Sequence, residues 1–160
     1  MAELTGSQTA PDGRFAVIVS RFNDFVTERL LKGAREALAE ARVPESQVTV
    51  LRVPGAFEIP VAARRAAESG RFDAIICLGG LIKGATWHFE YIASACSHGI
   101  AEAASATGVP MAFGVLTTNS AEEALERAVE GPENKGYEAA MAAVEMATLL
   151  RQLEGTGRRA

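Results

Sequence analysis

The chain has two histidines, and one of them, His88, sits in the stretch LIKGATWHFEYI from Leu81 to Ile92, behind Gly-Ala-Thr and between two aromatic residues. An imidazole has an ordinary pKa of about 6.5, which suits it to carry a proton near neutrality. A histidine at the start of a helix can equally be a capping or core group, and position alone leaves both readings open. Gly84, Ala85 and Thr86 precede a run with helical spacing. Their amides and the Thr86 hydroxyl are therefore either a helix cap or a seat for a small anion. An anion there would call for a charge-assisted partner. Arg127 and Lys135 flank a Gly-Pro break late in the chain, where they are candidate partners or merely solvated helix-end charges. His98, ten residues after His88, reads as structural or surface. Cys77 and Cys96 match neither a Cys-x-x-Cys pair nor zinc-ligand spacing, so no metal site and no disulfide is expected.

Three further residues make poor sense as loop surface: Phe22, Phe57 and Trp87. An aromatic in a loop is often a lid on the core, but Phe22 and Phe57, each just beyond a strand, also offer a face for a flat ring. Glycines at 55, 79, 80 and 84 let backbone groups approach a ligand closely and read the polar edges of a heterocycle.

The elements that must position these residues follow from hydrophobic spacing. Phe15 to Ser20 (FAVIVS), Val48 to Val53 (VTVLRV), Ala74 to Leu78 (AIICL) and Met111 to Leu116 (MAFGVL) are short apolar runs rich in β-branched residues, as strands buried on both faces require. Between them lie helical patterns: Leu30, Leu31, Ala34, Leu38 and Ala41; Glu58 to Ser69, with Pro60 in the first turn; and about His88 to Ala106. Ser120 and Glu123 form a capping box ahead of another helix, and after the break at 130–134 a last helix runs from about Lys135 to Leu153. Strands alternating with helices predict an α/β fold, a three-layer αβα sandwich around a four-stranded parallel sheet of flavodoxin-like topology. In such sheets ligands bind at the carboxyl ends of the strands. That rule selects Arg21 to Asp24, Pro54 to Glu58, Gly79 to His88 and Thr117 to Asn119.

With 160 residues, 48% hydrophobic and 22% charged, the chain suits one globular domain over residues 14–154. Residues 1–13 are polar and are expected to be a mobile arm unless something pairs with them, and 155–160 a frayed tail. A net charge of −4 leaves no large basic face for nucleic acid. The start lacks an apolar segment behind a basic one, and no run approaches the ~18 apolar residues of a membrane span, so a cytoplasmic protein is expected.

Five motifs in order, SRFND, VPGAFEIP, GGLIKGATWHFEYI, FGVLTTNSAEEALERA and NKGYEAA, closely resemble the lumazine synthases of riboflavin biosynthesis, over about Phe15 to Leu153. The resemblance implies a transferase that joins 5-amino-6-(D-ribitylamino)uracil to 3,4-dihydroxy-2-butanone 4-phosphate, giving 6,7-dimethyl-8-ribityllumazine, phosphate and water, without cofactor. It implies that Phe22 stacks on the pyrimidine, that Asn23, Ala56, Phe57 and Glu58 line the pocket and hold the ribityl chain, and that Gly80, Leu81 and Ile82 present backbone groups to the pyrimidine edge. Ala85, Thr86 and Arg127 would bind phosphate, Lys135 would help hold the pyrimidine, and His88 would carry protons. The family assembles as homopentamers with sites between subunits, so Phe113, Arg127 and Lys135 would come from a neighbour. Some members close into sixty-subunit shells, some with riboflavin synthase inside.

Two departures stand out. Lys83 occupies a place where the family often has arginine, keeping the charge and losing the planar fork. The segment AVEGPENKG keeps the usual length, which leans toward a shell, while Pro132 stiffens the turn. A flavodoxin-type or receiver-type binding module fits poorly, because Ser20-Arg21 supplies no acidic cluster and Phe22-Asn23-Asp24 no Ser/Thr-rich phosphate loop. The other alternative is an idle shell-forming protein of the same fold.

Overall fold

The computed structural model describes residues 1–157. Four strands, β1 (Phe15–Ser20), β2 (Val48–Val53), β3 (Ala74–Ile82) and β4 (Met111–Thr118), form one sheet in the order β2-β1-β3-β4, every pairing parallel. Five helices, α1 (Asp24–Glu40), α2 (Ile59–Glu68), α3 (His88–Thr107), α4 (Ala121–Glu126) and α5 (Lys135–Gly157), connect and follow them. This is the α/β sandwich that the alternation of apolar runs predicts.

The period of two along a strand sorts its side chains into two cores. Phe15, Val17 and Val19 of β1 pack with Ile76 and Leu78 of β3 against α1 and α5. Ala16 and Ile18, with Ile75 and Cys77, pack against α2 and α3. Both faces of β1 and β3 are thus dry, which is why their sequences are continuously apolar rather than alternating.

The structure changes several expected boundaries. β3 runs on to Ile82, so Gly79 and Gly80 lie in a strand rather than a loop. The sheet demands the smaller residue at Gly79, where a Cβ would stand 3.2 Å from Ile59 Cδ1 and 3.3 Å from Val115 Cγ1. β4 likewise extends to Thr118. At the capping box, Ser120 Oγ accepts from the Glu123 amide (3.1 Å), but the Glu123 carboxylate accepts from the Asn119 amide (2.9 Å), one residue before the expected partner.

The segment expected to be a loose arm is laid on its own chain. Ser7 N donates to Thr148 Oγ1 (2.7 Å), Gln152 Nε2 to Thr5 O (2.8 Å) and Ala10 N to Ala41 O (2.9 Å). Ala10 is buried, and a Cβ on Gly6 would stand 2.0 Å from Glu145 O, so the arm follows α5 at backbone contact. Its polar groups find partners that hydrophobic spacing could not announce. Residues 155–157 of the expected tail continue α5, while 158–160 lie outside the described residues. Among the described residues no helix is long and apolar enough to cross a membrane.

Candidate active site

Beyond β1 the backbone ladder continues for two residues: Arg21 N donates to Val53 O (2.8 Å) and Phe22 N to Pro54 O (3.0 Å). This brings the loop carrying Phe22 alongside the loop carrying Phe57. The chain then turns into α1 through Asn23, which adopts a left-handed conformation (φ 62°) that an asparagine tolerates better than most residues. Its Nδ2 donates to Gly80 O (2.8 Å), tying the turn to β3. Thr27, fully buried, donates from Oγ1 to Ser20 O (2.7 Å) and holds the first turn of α1 against the end of β1.

On the next strand, Ala56–Glu58 forms one turn of 3-10 helix closed by Glu58 N to Gly55 O (3.2 Å). Ile59 anchors the turn in the core, and Phe57 is left 62% exposed. Phe22, at 67%, is equally uncovered, so neither ring is a lid on the hydrophobic interior. The exit of β3 is pinned by Lys83 N to Thr118 O (2.8 Å), and the chain passes through Gly84–Trp87 into α3, whose first residue is His88.

These segments enclose an open cavity of about 760 Å³ at the carboxyl ends of β1, β2 and β3. Of the expected site residues it is lined by Phe22, Asn23, Ala56, Phe57, Glu58, Leu81, Ile82, Thr86 and His88. Gly80 lies buried behind Asn23, and Ala85 is exposed beside the cavity without lining it. Pro54, Gly55 and Gly84, which fall in the selected strand-end segments, line it too, while the sequence reading missed Phe89, Tyr91 and Ile92 as wall residues. Helical spacing could have found two of them, because Tyr91 and Ile92 stand three and four residues after His88 on one face of α3.

Phe113, Arg127 and Lys135 do not join this cavity. They line a second one, of about 410 Å³, between the free edge of β4 and α5, and the two cavities share no residue. Arg127 ends α4 and donates from Nη1 to Glu123 O (3.0 Å), while Lys135 begins α5 with Nζ 3.0 Å from Glu138 Oε2. Lys135 N donates to Arg127 O (2.9 Å), so the two cations stand on directly hydrogen-bonded residues.

The first cavity is well made for a flat, partly polar molecule. It offers two exposed rings, backbone edges at the ends of strands, a carboxylate at Glu58 and an imidazole at His88, with Thr86 two residues upstream. Among the described residues its wall contains no lysine or arginine. Cys77 of β3 and Cys96 of α3 lie in the core between the sheet and the α2–α3 layer and supply no thiolate near neutrality: burial pushes Cys77 far above the ordinary thiol range and Cys96 up to about 11. Among the described residues no group of three or more His, Cys, Asp or Glu side chains could hold a metal ion.

The family model described as 6,7-dimethyl-8-ribityllumazine synthase matches residues 12–151, spanning the whole sheet and both cavities. The match covers most of the chain and the four-stranded parallel sheet with its helical layers is consistent with it, so the chain belongs to the 6,7-dimethyl-8-ribityllumazine synthase family, a family of riboflavin biosynthesis.

Proposed function

We propose that the protein condenses 5-amino-6-(D-ribitylamino)uracil with 3,4-dihydroxy-2-butanone 4-phosphate, forming 6,7-dimethyl-8-ribityllumazine and releasing phosphate and water, and needs no cofactor for it. The observation that carries this reading is the meeting of Phe22, Asn23, the Ala56–Glu58 turn, Thr86 and His88 in one cavity. Phe22 stacks on the pyrimidine, and Asn23, Phe57 and Glu58 line the path of the ribityl hydroxyls, with Ala56 beneath. Leu81 and Ile82 meet the ring edge through backbone groups. Gly80 does so only through its carbonyl's second lone pair, the first being taken by Asn23.

The 5-amino nitrogen attacks the ketone and water leaves, giving an imine. Phosphate is then eliminated and the enol tautomerises. The ribityl-bearing nitrogen closes the ring on the new carbonyl, and a second water departs. Every step moves protons between nitrogen, carbon and oxygen, and none calls for a strong nucleophile. Alignment of two bound reactants supplies much of the acceleration. His88 is the proton carrier, set beside the phosphate seat formed by Ala85 and Thr86 at the start of α3.

Arg127, Lys135 and Phe113 complete the site from a second copy of the chain, Arg127 on the phosphate and Lys135 on the pyrimidine. Their separate cavity supports this, as do the exposed apolar rings around the first, Phe57, Trp87 and Tyr91, the last two about three-quarters exposed in the single chain. A cyclic homopentamer provides such a head-to-tail contact, and a sixty-subunit shell with riboflavin synthase as a guest would extend it. Mixing the purified protein with both substrates and following the absorbance of the lumazine tests the reaction. A rate no greater than the uncatalysed background refutes it.

A further inference from the structure

We propose that Asn134 is a positioning residue for the two cations of the second cavity, tying the start of α5 to α1 and so setting where Arg127 and Lys135 stand. The proposal rests on the reading of those cations as substrate-binding groups.

Arg127 and Lys135 bracket the loop 128–134, which includes Gly131 at φ 97° and the exposed Pro132 and Glu133. Such a loop has little core of its own, and long side chains borne at its two ends would move with it. Asn134 removes that freedom. It is 2% exposed, and all four of its side-chain hydrogen-bonding positions are engaged. Nδ2 donates to Arg29 O in α1 (3.1 Å) and to Val129 O in the loop (3.0 Å). Oδ1 accepts from Gly136 N (2.8 Å) and Tyr137 N (3.1 Å), which caps α5. The neighbouring Lys135 amide then reaches Arg127 O, passing the constraint to the second cation.

Two glycines make room for this tie. A Cβ on Gly33 would stand 2.3 Å from Asn134 Oδ1, and one on Gly136 would stand 2.0 Å from Leu30 O. α1 and α5 therefore meet here at backbone distance. α1 begins directly after Asn23, at the first cavity, so one amide side chain relates the elements that border both cavities. Aspartate would keep the cap but set a carboxylate oxygen against the carbonyls of Arg29 and Val129. Serine would keep the cap while being too short to reach either.

The test is Asn134→Ser in the full chain, with Asn134→Asp as the second variant should the first not fold, and Thr148→Val as a control. Thr148 loses a hydrogen bond to the arm, remote from the cations. Amide hydrogen exchange at Lys135 is expected to quicken roughly tenfold or more in the Asn134 variants and to stay unchanged in the control. The KM for the butanone phosphate and the inhibition constant of inorganic phosphate are expected to rise about tenfold, with kcat within about twofold. Unchanged exchange at Lys135 overturns the proposal, and so does quickened exchange with unchanged KM and phosphate inhibition. A KM shift of equal size in Thr148→Val would likewise overturn it, by showing that lost stability alone suffices. Should the wild-type chain neither turn over nor bind inorganic phosphate, the functional reading fails and the substrate-positioning role falls with it. The exchange result then still reads whether Asn134 holds the segment.

Discussion

His88 and Arg127 line cavities with no residue in common, so two variants that are each defective alone should restore activity when they share an assembly. His88→Ala removes the proposed proton carrier from the first cavity, and Arg127→Ala removes a cation from the second. In the closed ring proposed above, each site would take His88 from one subunit and Arg127 from the next. Random assembly from equal amounts then gives a site both intact groups with a probability of about one half times one half, or roughly one quarter. At other ratios the recovered fraction follows p(1−p) and vanishes at either end. The assay is co-refolding of the two chains from denaturant across a series of ratios, followed by the initial rate of lumazine formation per milligram. Limiting butanone phosphate keeps the Arg127-deficient sites silent. A maximum near a quarter of the wild-type rate at equal ratio is expected. Rates that equal the weighted mean of the two separate variants at every ratio would refute the shared site.

His88→Ala alone should slow turnover by about tenfold or more while light scattering shows the same assembly size, and unchanged kinetics would remove His88 from the chemistry. Arg127→Ala should raise the KM for the butanone phosphate by about tenfold through loss of a charge-assisted contact; a selective rise for the pyrimidine would reassign Arg127 to the other substrate. Gly33→Ala drives a Cβ into the Asn134 amide and should lower stability by roughly 1–3 kcal/mol in urea unfolding, so an unshifted midpoint would contradict the close approach of α1 and α5. Burial raises Cys96 from 9.0 to about 11, so the folded chain keeps a proton that the unfolded chain loses. That contribution is complete below pH 9 and declines as pH rises from 9 to 11, by roughly 1.4 kcal/mol per pH unit. Cys96→Ala should flatten the alkaline fall in stability, and an equal slope in variant and wild type would show that burial does not hold the proton on this thiol.

The layered fold was legible because its strands are dry on both faces. FAVIVS and AIICL cannot sit at a surface, and the helical spacing of Leu30, Leu31, Ala34 and Leu38 names the face that covers them. The first cavity was legible for a related reason: an exposed aromatic at a strand end is costly, and Phe22 and Phe57 both stand at one. Three things were not readable from spacing. β3 continues through Gly79 and Gly80, and at Gly79 the glycine, usually a strand breaker, answers the crowding of Ile59 and Val115. The arm is held by side-chain bonds from Thr148 and Gln152, more than a hundred residues away, which no local pattern encodes. Asn134 looked like part of a turn, and its four bonds to α1, the loop and α5 depend on a helix crossing known only in three dimensions.

Electrostatics gives a reason for a shared site that does not depend on family membership. A phosphate monoester at neutral pH carries nearly two negative charges, and among the described residues the wall of the first cavity holds no lysine or arginine to meet them. The amide cluster at the start of α3 attracts an anion there, and a helix terminus contributes about 0.3–2 kcal/mol toward it. Glu58, on the same wall, opposes that attraction. Micromolar binding needs about 8 kcal/mol, so even with hydrogen bonds from Thr86 and its neighbours a dianion would be held weakly by one chain. The chain does own a matched pair of cations, Arg127 and Lys135, carried on adjacent helix ends and opening on the free edge of β4. Docking that edge of one copy over the first cavity of another would bring positive charge to the phosphate and cover Trp87 and Tyr91 in the same step. On this argument, raising ionic strength should weaken the butanone phosphate more than the pyrimidine, because the phosphate dianion depends on the charge of Arg127 while Lys135 meets a pyrimidine that carries no phosphate. Equal salt sensitivity of the two KM values would show that Arg127 does not meet the phosphate.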